Sequence, residues 1–126
     1  MAITEDPSHI VNFQQNMSEI VRLLEIHEET AGKGPGYKYG VEVLNKSALV
    51  LLVACWEAFI EDLATEAFHV ILDGADNPAV FSPKVLAMAA TSLKQSEDER
   101  ALWALAGDGW KRVLIDYHDH VIERFV

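Results

Sequence analysis

Apolar residues in the first thirty positions recur at alternating spacings of three and four. Ile10, Phe13, Met17, Ile20, Leu24, His27 and Ala31 fall on one stripe. That period predicts a helix over 7–31 with a core-facing or coiled-coil-like face. Asp6 suits its N-cap and Pro7 its first helical position. His27 on the stripe reads as a packed core or interface histidine. Residues 32–36, GKGPG, break the pattern. The next periodic stretch, 44–72, is the longest, and as a helix it would span about 43 Å. Leu49, Leu52, Val53, Trp56, Ile60, Leu63, Ala67 and Ile71 share one broad face of it. Glu61, Asp62, Thr65, Glu66 and His69 take the other. Residues 48–56 are apolar without interruption, which predicts burial nearly all round, with Ala54 and Ala58 letting a neighbouring helix come close. Gly74 suits a left-handed stop. Ser82-Pro83 opens a third helix over 83–95. Ser96-x-x-Glu99 reads as a capping box for a short fourth, to about 106. Asp108 can cap a fifth, over 110–124. Nothing longer than a few residues alternates with period two. The expectation is an all-α bundle with two long N-terminal helices and about three shorter ones.

Composition narrows the class. Half of the 126 residues are apolar, enough for one domain with a core. Twenty acidic residues face ten Lys and Arg, a net charge of −10, which argues against broad nucleic-acid binding and leaves room for RNA in a local basic pocket. No DNA partner is expected. Cys55, the single cysteine, lies in the apolar run and reads as a small core residue. The N-terminal MAITEDPSH has no apolar segment and does not read as a signal peptide. The run 48–56 is too short for a bilayer, which takes about 20 residues. No membrane association is expected, and the location expected is cytoplasmic.

Candidate chemistry is sparse. Lys33 and Lys38 make the glycine loop locally basic, but GxxxxGK[ST] is absent, so it reads as an interhelix connection. Asp116, His120 and Glu123 have i, i+4, i+7 spacing. A metal-bridged bundle needs a second such motif on another helix, and there is none. With Arg112 and Asp119 they read as a solvated face, Arg112–Asp116 being an ordinary i, i+4 pair. No metal or cofactor is expected. His118 shares the apolar side of the last helix with Leu114, Val121 and Phe125, where burial and a carboxylate neighbour would tune it. Glu57 follows Trp56 at the seam between the two faces of the long helix. It would hold a cationic group in a groove or mark the solvent boundary.

LNKSALVLLVACWEAFIEDLA, residues 44–64, resembles the long second helix of the HEPN superfamily, specifically the RiboL-PSP-HEPN group. Leu44, Asn45, Ser47, Ala48, Trp56, Glu57, Ala58, Phe59, Glu61, Asp62 and Leu63 carry the likeness. The later GDGWKRVL, with Trp110, is similar too. The resemblance implies a HEPN-like helical bundle, a single domain over 1–126, incomplete at its C-terminus if the chain is a truncated piece. It also implies a homodimer or a partner protein, with single-stranded RNA as a partner.

Many members are metal-independent endoribonucleases of defence, toxin–antitoxin or RNA-processing systems, using an Arg, four to six intervening residues, and a His. Histidine would move the 2′-hydroxyl or leaving-group proton and arginine would hold the phosphate charge. In the resembling group that motif lies beyond Val126. Arg22-x4-His27 and Arg112-x5-His118 fit the loose spacing, but Leu23 and Val113 stand where a polar residue is usual, and both read as decoys. The expectation is a scaffold or dimerisation domain without a complete catalytic site. An active endoribonuclease using Glu57, Arg112 and His118 is the alternative, and a helical adaptor without an RNA role is the third reading.

Overall fold

A computed structural model describes residues 5–31 and 42–125 of the chain. The loop 32–36 and its lysines lie outside the described residues. Of the described residues 86% are helical, with no strand among them, so the all-α expectation holds. Four α-helices are present: α1 (Ser8–Ala31), α2 (Glu42–Gly74), α3 (Pro83–Lys94) and α4 (Gly109–Phe125). Two 3-10 segments, Pro78–Val80 and Glu99–Leu105, fall between α2 and α4. The chain forms two compact units, with the boundary inside α2 between His69 and Val70.

The first unit is an antiparallel pair, α1 against α2. Phe13 packs on Phe59 with ring centroids 4.9 Å apart. His9 Nδ1 contacts Glu66 Oε2 at 2.5 Å, and Asn12 Nδ2 donates to Asp62 Oδ2 at 3.3 Å. Further along, Asn16, Glu19 and Ile20 border the same small cavity as Leu51, Ala54 and Cys55. Positions 48, 55, 59, 62 and 66 therefore form the seam, a seven-four-three-four spacing that keeps one helix face on its neighbour.

That seam corrects the expectation for the apolar run. Only Ala48 and Cys55 within 48–56 are buried. Leu49, Val50, Leu51, Leu52, Val53 and Trp56 are exposed. A single neighbour covers about one face of a helix, and α1 takes the face that carries Asp62 and Glu66. His9 and Asn12 supply polar partners there, so the carboxylates do not repel packing. The broad apolar face is left outward. In addition, α2 as a whole is long and apolar enough, by length and composition, to cross a bilayer. The run 48–56 was too short a window for that expectation.

The second unit holds Leu72, Ala75, Ala89 and Leu114 as its buried residues. Here α3, α4 and the Glu99–Leu105 segment contact one another. The Ser82 side chain accepts the Val85 N–H at 3.3 Å with Pro83 opening α3, as its sequence predicts. The expected capping box is replaced. Asp98, one residue earlier than Glu99, accepts the Arg100 N–H at 3.0 Å, and a 3-10 helix follows in place of an α-helix. Arg100 also grips Asp98 through its guanidinium at 3.0 Å. That grip, with the backbone bond second, holds the Asp98 carboxyl below its ordinary value.

Gly107 sits at φ 60°, a left-handed conformation that glycine adopts without strain. Gly109 is required for another reason: a Cβ there would lie 1.8 Å from the Ala104 carbonyl oxygen. Gly74, expected to be left-handed, is instead the last residue of α2, and the Ala75 N–H donates to the Leu72 carbonyl at 3.2 Å.

Candidate functional site

The residues singled out in the sequence fall in both units, Glu57 in the first and Arg112 and His118 in the second. Arg112 and His118 both lie on α4. Six positions separate them, so they sit about 120° apart around the axis and about 9 Å apart along it. Arg112 is exposed and its Nε bonds Asp116 at 2.9 Å. His118 is mostly covered, and its Nδ1 lies 3.3 Å from Asp119 Oδ1. Each is thus engaged with its own carboxylate neighbour. Glu57 is exposed on the part of α2 that belongs to the first unit. The other Arg–His spacing fares no better. Arg22 pairs with Glu25 and Glu29, and the Nε2 of His27 is buried with no hydrogen-bond partner, as for a packed side chain. No group of three potential metal ligands occurs among the described residues.

Two features do stand out, one in each unit. The first is the outward face of α2. Leu49, Leu52, Val53, Trp56, Ile60 and Leu63 follow one another at helical spacings and are between 39% and 62% exposed. Trp56 belongs to this face, and among the described residues its ring contact is with its own helix, at 5.8 Å from Phe59. Large apolar patches on a monomer mark interaction sites, and an exposed tryptophan at the centre of one is a typical anchor.

The second is a cleft between α3 and α4, of about 540 Å³, lined by Lys84, Met88, Tyr117, His120, Val121 and Arg124 among others. Lys84 and Met88 are four apart on α3. Tyr117, Val121 and Arg124 follow i, i+4, i+7 on α4, with His120 beside them. Each helix therefore turns one mixed face to the cleft, and among the described residues no carboxylate lines it. The sequence reading missed this site because its cations sit on different helices, forty residues apart. A signal was nevertheless present. Lys84 has no acidic residue three or four positions away on either side, and Arg124 has none three or four positions before it. Arg22, Lys46 and Arg112 each have one and pair with it.

Comparison with known proteins adds one match. No curated protein and no solved structure matches the chain. The family model described as RiboL-PSP-HEPN matches residues 12–125. That span takes in all of α2, α3 and α4 and nearly all of α1. Membership of this family points to an RNA-related, nuclease-like or defence role. With this match over almost its whole length, the chain belongs to the RiboL-PSP-HEPN family.

Proposed function

We propose that this chain is a self-associating HEPN scaffold of an RNA-directed defence, toxin–antitoxin or RNA-processing system, working in the cytoplasm without a complete ribonuclease site of its own. The observation that carries the reading is the outward face of α2. Its six large exposed side chains between Leu49 and Leu63 leave on the order of 600 Å² accessible, the lower end of what one partner brings to a standard interface. A second copy is the occupant that fits best. The face runs along one helix, so a two-fold axis would lay it against itself. The second half of the reading is supported by the engagement of Arg112 with Asp116 and of His118 with Asp119, which leaves neither in an Arg–His pair.

Light scattering of the purified chain tests it. The expected result is a dimer, turned monomeric by Leu52→Glu or Trp56→Glu with helicity intact by circular dichroism. A monomer at all concentrations would overturn the self-association. Flotation with phosphatidylglycerol vesicles, lost in the same variants, would assign the face to a bilayer instead. Cleavage of single-stranded RNA in EDTA, abolished by His118→Ala, would replace the scaffold with an active endoribonuclease.

A further inference from the structure

Acidic residues outnumber basic ones two to one in this chain, so a cation without a carboxylate partner is conspicuous. Among the described residues Arg22, Lys46, Arg100 and Arg112 are ion-paired. Lys111 donates to the Asp73 carbonyl and lies over Trp110. Lys84, Lys94 and Arg124 form no ion pair among the described residues. Of these three, Lys84 and Arg124 line the cleft between α3 and α4. That cleft spans 84–95 on one wall and 117–124 on the other. A neighbouring cavity between the same walls spans 89–96 and 113–117. Numbers thus rise along α3 as they fall along α4. The two helices run antiparallel, and Lys84 and Arg124 share one end of the cleft.

We propose that this cleft docks an amphipathic helix of a partner protein, its apolar stripe on Met88 and Val121 and its carboxylates, gathered at one end, on Lys84 and Arg124. Both walls are helices, whose backbone groups are bonded internally. The cleft therefore offers no ladder bonds to an extended peptide, and an occupant has to satisfy its own backbone, as a helix does. The lining along 84–95 is about 16 Å long, which matches three turns of a guest helix. Midway along it Met88 is 49% exposed, and a thioether adapts readily to an apolar side chain. The Thr91 hydroxyl donates to the Ala87 carbonyl at 2.9 Å, so it leaves no unmet polar group in the middle of the cleft. Charge selects the guest. Two cations meet at one end with no carboxylate on the walls among the described residues, which complements an acidic segment and repels a basic one. Beyond that end the lining holds no lysine or arginine. A nucleic-acid strand, charged at every unit, would find counter-charge along a small part of its path.

A phage-displayed library of randomised helical peptides, about three turns long, tests the cleft when panned on the full chain and cleared on the Lys84→Glu/Arg124→Glu double variant. Enriched sequences should carry Asp or Glu within one terminal turn and apolar residues at helical spacing beyond it. The best of them, labelled and followed by fluorescence anisotropy, should bind about fivefold more weakly to Lys84→Gln or to Arg124→Gln, the upper end for an exposed ion pair. Met88→Ser should weaken it through the apolar stripe, and a proline at the centre of the peptide should abolish binding. Lys94→Gln, at an unpaired lysine outside the cleft lining, should change nothing. Added salt should weaken binding to the parent chain more than to the Lys84→Gln/Arg124→Gln double variant. An empty selection, enriched sequences without acidic residues, or an equal loss from Lys94→Gln would overturn the proposal. Displacement of the peptide by a short oligoadenylate at lower concentration than by unlabelled peptide would give the cleft to a nucleic acid and overturn it too. So would a peptide that lowers the mass seen by light scattering, since the occupant would then be a second copy.

Discussion

A methyl group at position 109 would meet the Ala104 carbonyl oxygen at 1.8 Å, and that oxygen is backbone, so it cannot simply turn aside. Position 107 has open space but a left-handed φ. Position 74 has open space with no left-handed φ. Three glycines of one chain should therefore respond differently to alanine. Gly109→Ala should be worst, at about 2–4 kcal/mol. Gly107→Ala should cost about 1–2 kcal/mol for the left-handed backbone. Gly74→Ala should be neutral or stabilising by up to about 1 kcal/mol. Urea unfolding of the three variants checks the order, and equal effects at 107 and 109 would refute it. Asp98 offers a test in pH. Its folded carboxyl is held below the ordinary 3.8 by the Arg100 guanidinium and backbone N–H. A depressed carboxyl stabilises the fold above its unfolded value and loses that contribution as pH falls through its folded value. An NMR titration should place the Asp98 midpoint below 3.8. Arg100→Gln should move it back up, and a midpoint indifferent to that change would remove the Arg100 grip as the cause.

Among the elements, the α1–α2 pair shows how one ring can organise a seam. Phe59 meets Phe13 at 4.9 Å and the His9 ring at 5.8 Å, both from α1. Phe59→Ala should cost about 2–3 kcal/mol, the lower part of the range for a buried phenylalanine because Phe59 is only half-buried. The comparison also explains what could be read in the sequence. The extents of α1, α2 and α3 were legible from period and punctuation, as at Ser82-Pro83. The inward face of α2 was not. Periodicity identifies an apolar face but not its neighbour, and Leu49–Leu63 serves an external surface as readily as a core. The signal for the true seam was polar: His9 and Asn12 on α1 match Glu66 and Asp62 on α2. Capping was partly legible, since Ser96-x-x-Glu99 marked the right turn while Asp98 took the cap. For the candidate site, Arg112 and His118 matched a linear spacing, and the fold adds that each pairs with a carboxylate neighbour on α4. The cleft cations needed the fold to bring them together.

At the scale of the molecule, half the sequence is apolar, yet only Leu72 among the described residues is almost wholly enclosed. A chain that buries so little by itself gains stability by covering its outward face, so folding and association should be linked. The melting temperature should rise with protein concentration, and Trp56→Glu should remove that dependence. Charge modulates the effect. Each copy carries −10, so two copies repel one another, and salt that screens the repulsion should favour the pair. A melting temperature flat in concentration and unresponsive to salt would contradict the linkage. Family membership fits this economy, because the matched span includes the whole outward face of α2.

Cys55 sits 6% exposed on the seam where α1 covers α2, and it is the chain's single thiol. Its position makes the hairpin a shutter over one reactive atom. A thiol reagent reaches that sulfur when α1 lifts, so the labelling rate, set against that of the unfolded chain, reports how often the first unit opens. The protein thereby carries its own clock for α1 separation, one that runs without a mutation or an added probe site.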